Sequence, residues 1–155
     1  MKKNFILLSA VCVLGTFISF KPPAGPPDHP VPAKAGDLRI EIMGLRNAKG
    51  YVLISMYCNE DGFPTKVEKA CWKGQETSRN GKVEILRKDL AAGTYAVAVL
   101  HDENSNLKMD TRLLGLPKEG YGFSQNPRLL LGPPSFKSAS IQHDGNQTIT
   151  INMKY

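Results

Sequence analysis

Residues His101–Asp110 read HDENSNLKMD, which sets oxygen-bearing groups at alternating positions: the side chains of Asp102, Asn104, Asn106 and Asp110, and the carbonyl of Lys108. A hard cation such as calcium gathers about six to eight oxygen ligands, and short polar side chains at alternate loop positions can converge on one centre. These residues match the first, third, fifth, seventh and ninth ligand places of an EF-hand-like loop. The sharp-turn place, normally glycine, holds Leu107, and the place of the closing glutamate holds Leu113. Glu119, or Glu103, is then the candidate for the missing carboxylate. With so few certain carboxylates the expected affinity is weak, about 10⁻⁴ to 10⁻³ M. The competing reading is a polar turn, because Asp, Asn and Ser side chains accept hydrogen bonds from nearby backbone and order a loop without any ion.

Two other chemistries start from the same region. His101 beside Asp102 and Glu103 suggests proton transfer, the usual work of a histidine with a carboxylate partner. Adjacent strand residues point to opposite faces, however, and the sequence carries no triad layout, HExxH, phosphate loop or His/Cys cluster. Asp102 and Asp110 as a hydrolytic carboxylate pair have nothing that marks one of them as the acid. Downstream, LGLPKEGYGFS places Tyr121 and Phe123 among glycines, and with Trp72 they form a candidate binding surface or simple core packing. The expectation is a non-catalytic module that binds an envelope protein, peptide or glycan. The alternatives are a hydrolase using the loop carboxylates and a purely structural envelope protein.

The chain start supports export. Lys2 and Lys3 precede an uncharged run from Phe5 to Phe20, the layout of a cleaved signal peptide over residues 1–20, with an uncleaved anchor as the alternative. Residues 21–36 hold six prolines and read as an extended linker. Membrane contact is expected only if the leader stays attached. The expected location is the periplasm or the exterior of a bacterial cell. Removing Lys2, Lys3, Lys21, Lys34 and Asp28 from 20 basic and 14 acidic residues leaves a net charge of +3, with no aromatic-interleaved basic cluster, so nucleic acid is not an expected partner. In an oxidising compartment the two remaining cysteines, Cys58 and Cys71, are expected to pair.

Residues 37–155 must position these groups, and they read as one β domain. Leu38, Ile40 and Ile42 alternate with Arg39 and Glu41, and YVLISMY follows after the turn NAKG, suggesting a first hairpin. KVEIL (82–86) and TYAVAVL (94–100) read as strands, the latter buried on both faces; RLLL (128–131), FKSASI (136–141) and TITINM (148–153) complete about seven. Between Asn59 and Gly81 only a turn or two of helix is expected. The fold expected is an antiparallel β-sandwich of immunoglobulin or transthyretin-like type with one long loop, with a barrel second.

LAAGTYAVAVLHDENSNLKMDTRLLGLPKEGYGFSQN, followed by PPSF, resembles the bacterial family known as domain of unknown function 2141. The resemblance covers about Leu38 to Tyr155 and is most specific from Gly93 to Asn126. It implies a secreted or periplasmic β-sandwich with no established activity. Asp102, Asn104, Asn106 and Asp110 match polar positions of the family pattern, and Leu107 stands where the family usually has glycine.

Overall fold

The computed structural model describes residues 35–129 and 132–155. The leader and nearly all of the proline linker lie outside the described residues. Among the described residues eight strands form two sheets: β1 (Gly36–Met43), β2 (Tyr51–Tyr57), β3 (Trp72–Glu76), β4 (Lys82–Leu90), β5 (Gly93–Asp102), β6 (Gly120–Phe123), β7 (Ser140–His143) and β8 (Gln147–Asn152). One sheet runs β4-β1-β8 and the other β3-β2-β5-β6, with β7 pairing on β5 as well. The protein is a β-sandwich.

The alternation in β1 does what its pattern dictates. Leu38, Ile40 and Ile42 are fully buried, while Arg39 pairs outward with Glu84 of β4. They meet Val52, Ile54, Met56, Val97 and Val99 of the facing sheet, and Val83, Ile141 and Ile151 complete the core. Period-two burial of this kind fixes register, since a one-residue slip would turn every apolar side chain to solvent.

β5 is the central strand that its apolar run suggests, flanked by β2 on one edge and by β6 and β7 on the other. Its outer face is covered as well: Tyr57, Phe63, Phe123 and Phe136 form a chain of edge-on aromatic contacts at 5.2–6.2 Å. The excursion after β2 is tied back by the Cys58–Cys71 disulfide, as expected.

Four expectations fail. β1 and β2 do not pair; β1 joins β4 antiparallel and β8 parallel, so the NAKG segment is a crossing between sheets. A turn signal says that the chain reverses, not that the reversing strands bond to each other. FKSASI splits into a short helix, α1 (Phe136–Ala139), and the strand β7, because Ser135 caps the helix by accepting from the Ser138 N–H. Arg128 and Leu129 belong to no strand, and Leu130 and Leu131 lie outside the described residues. Finally, β3 and β6 are strands that no alternation announced.

Candidate functional site

Tyr51 pairs with Asp102 and Val52 with His101 across β2 and β5, so His101 faces the inter-sheet space and Asp102 the opposite side. Asp102 is fully buried beneath the loop that follows it. One carboxylate oxygen accepts the Asn106 N–H at 3.1 Å and the other the Leu107 N–H at 2.8 Å. Asn104 Oδ1 also accepts from Asn106 N–H, and Asn106 Oδ1 accepts from Lys108 N–H, so each asparagine makes a local turn of its own. The tight winding puts Ser105 and Leu107 at φ 60° and 61°. The Asp110 oxygens accept the Nδ2 groups of Asn104 and Asn106 at 2.7 and 3.1 Å.

Glu119 closes the loop. Only 3% exposed, it accepts the N–H of Glu103 and of Asp110, both at 3.0 Å, and so clamps the two ends of the loop. Beyond the clamp residues Asp110 to Lys118 form a narrow finger: Lys118 N–H donates to the Asp110 carbonyl, Thr111 bridges Pro117, and Arg112 N–H donates to the Leu116 carbonyl. A 3₁₀ turn, Leu113–Gly115, makes the tip.

The expected ligand set is therefore brought together, but each of its side-chain oxygens already accepts an N–H of the loop. A cation would share these oxygens with the N–H groups they already accept. Among the described residues no group of three or more His, Cys, Asp or Glu side chains converges in a metal-holding arrangement.

On the inter-sheet side, His101 is fully buried. Its Nε2 lies 3.0 Å from the Lys49 carbonyl and its Nδ1 2.8 Å from the Tyr155 hydroxyl. A carbonyl only accepts, so Nε2 carries the hydrogen and, in the neutral ring, Nδ1 accepts from Tyr155 O–H. The hydroxyl in turn accepts the Arg46 N–H at 3.0 Å. The Arg46 guanidinium lies 4.4 Å over the Tyr155 ring and grips both Glu103 oxygens at 2.5 and 2.7 Å. That ion pair holds the Glu103 carboxyl below its usual range and raises Arg46, while burial pushes the Tyr155 hydroxyl up. Gly120 is required here, since an added Cβ would come within 2.4 Å of the Tyr155 ring.

A cleft of about 240 Å³ opens between these two systems, bordered by Arg46, Lys49, Glu103, Asp110, Lys118 and Glu119. The model of the family described as uncharacterized protein conserved in bacteria, DUF2141, matches residues 40–151. The chain belongs to that family. No curated protein and no solved structure matches it. The DUF2141 match begins at Ile40 of β1 and ends at Ile151 of β8, both buried, so it spans the whole sandwich.

The aromatic candidates of this DUF2141 chain do not form one surface. Tyr121 and Phe123 sit together on β6, ring centres 6.0 Å apart and half-buried, and Phe123 belongs to the aromatic chain over β5. Trp72 lies on β3, at the opposite edge of the same sheet, roughly 14 Å away at three strand spacings, half-buried against the core with the Arg87 guanidinium 4.9 Å from its ring. The residues that do surround the loop, Arg46, Lys49, Lys118 and Tyr155, carry no local signal. Tyr155 is 54 positions from His101 and 109 from Arg46, and only the fold brings them together. Glu103, already a candidate in the sequence, stands one residue past the end of β5, and its carboxylate lies 3.7 Å from Nδ1.

Proposed function

We propose that the protein is an exported, non-catalytic binding module of the bacterial cell envelope, periplasmic or secreted, and that residues 102–119 are its recognition element. One observation carries this: Asp102 and Glu119 are buried and spend their charge on four backbone N–H groups of the same loop. A buried carboxylate satisfied in this way makes strong, charge-assisted bonds. A loop fixed before it meets a partner avoids the ordering entropy of binding, which is how rigid recognition loops gain affinity. The disulfide fits an oxidising compartment, and the family is bacterial.

This reading does not require calcium, because the loop's own N–H groups already order these oxygens. We expect no increase in melting temperature below about 10⁻³ M calcium; a saturable rise at micromolar calcium that Asp110→Asn removes would make the ion the organiser instead.

The reading is tested in cells that export the protein. A photoreactive amino acid in place of Leu113 should yield envelope adducts, and these should fall away when Asp102→Asn and Glu119→Gln release the loop. No adducts, or equal adducts from the released loop, would sink the reading.

A further inference from the structure

The finger sorts its charges by direction. Of the acidic residues around it, Asp102 and Glu119 are buried against backbone N–H groups, Glu103 is locked to Arg46, and Asp110 is covered by two asparagine amides. What it turns outward is cationic and apolar. Lys108, Arg112 and Lys118 are exposed, and none of them pairs with a carboxylate among the described residues. Between them stand Leu107, Leu113 and Leu116, exposed by 63%, 91% and 60%, with Met109 at 37%.

Two further facts separate this from stray surface leucines. Leu107 is held at φ 61° by the winding of the loop over Asp102, so an unfavourable apolar residue stands exposed where glycine would fit. The tip is also narrow: a single 3₁₀ turn carried on a two-sided ladder, with Leu113 at 91% exposure. An exposed apolar tip on a finger whose flanks and base carry unpaired cations matches the interface of a bilayer, where apolar side chains enter the acyl boundary and basic ones meet headgroup phosphates.

We propose that the Asp110–Lys118 finger docks the protein on an anionic lipid bilayer, Leu113 and Leu116 entering the interface while Arg112 and Lys118, with Lys108 just ahead of the finger, engage headgroup phosphates. This rests on residues 102–119 being a binding element and names what they bind. The bilayer contact is independent of the leader.

The experiment is sedimentation of the exported protein with vesicles of phosphatidylglycerol and phosphatidylcholine, and with phosphatidylcholine alone. Binding should occur on the anionic vesicles and be several-fold weaker on the neutral ones. It should weaken with salt, as screened surface charge must, and fall by about tenfold in Leu113→Ser/Leu116→Ser. A similar loss is expected in Lys108→Gln/Arg112→Gln/Lys118→Gln. All of these side chains are exposed, so melting curves should match wild type and show that the variants are folded. Absence of binding overturns the proposal, as does equal binding to both vesicles or binding that both sets of variants retain. Inorganic phosphate that abolishes vesicle binding at millimolar concentration would also overturn it, pointing to a free anion as the ligand. If vesicles fail while the position-113 crosslink still gives protein adducts, the bilayer falls and the recognition element stands. If both fail, both fall.

Discussion

Leu107 adopts the backbone that glycine prefers. A left-handed conformation costs a leucine about 1–2 kcal/mol, and glycine returns part of that gain through its freer unfolded chain. Leu107→Gly should therefore raise stability by about 0.5–1 kcal/mol in a denaturant melt while weakening vesicle binding; a destabilised variant would mean that the turn is built differently. Glu103 gives a prediction of opposite character. Its native carboxyl titrates below the ordinary 4.5 because Arg46 hydrogen-bonds the charged form. A depressed carboxyl contributes stability that is complete above the unfolded value and is lost as pH falls through the native one. Glu103→Gln should be less stable than wild type at pH 7, and the gap should close between about pH 5 and pH 3. A gap constant across that range would show that the ion pair adds nothing to the fold.

Among the elements, those with strong local patterns could be read directly and those defined by partners could not. β1, β2, β5 and β8 announce themselves through alternating or continuous branched apolar residues, and Leu38, Ile40, Val97 and Ile151 lie in the core where the pattern puts them. β3, WKGQE, and β6, GYGF, have almost no such signal; they are strands because β2 and β5 offer them an edge. The loop was visible as polar and turn-rich, but the fold adds what the sequence could not show: the same oxygens that suggested an ion also accept the loop's own N–H groups. Pairing of Cys58 with Cys71 could be argued from compartment and count alone, and the bond holds the 59–70 excursion against the end of β2. In the chain-entropy picture closing a loop of that size contributes about 3 kcal/mol. Cys58→Ser should lower the melting temperature by as much as a reductant lowers it in wild type; a variant that melts with wild type would show the bond to be stabilising nothing.

A relay of polar contacts joins the two sheets at one end: Arg46, which follows β1, donates its N–H to the hydroxyl of Tyr155, which follows β8, and that hydroxyl meets His101 of β5 in the other sheet. The tail that carries Tyr155 is itself bonded to β6, Tyr121 N–H donating to the Lys154 carbonyl and Lys154 N–H to the Tyr121 carbonyl. Tyr155→Phe keeps the ring beneath Arg46 and beside Gly120 but leaves the buried Nδ1 of His101 without its donor. An unsatisfied buried partner costs about 1–2 kcal/mol, so the variant should unfold at lower denaturant at pH 7. The pH dependence identifies the hydroxyl as the cause. Burial raises the native Tyr155 titration above its ordinary 10.0, so its contribution is complete below that value and is lost as pH rises through the native one. Once ionised, the phenolate has no hydrogen to give His101. The wild-type advantage should therefore be constant through neutral pH and shrink above about pH 10, although Tyr57, also raised by burial, will weaken both proteins there. An advantage that persists unchanged to high pH would assign the effect to the ring's packing, and the sheets would then be held together at this end by apolar contact instead of by the hydroxyl relay.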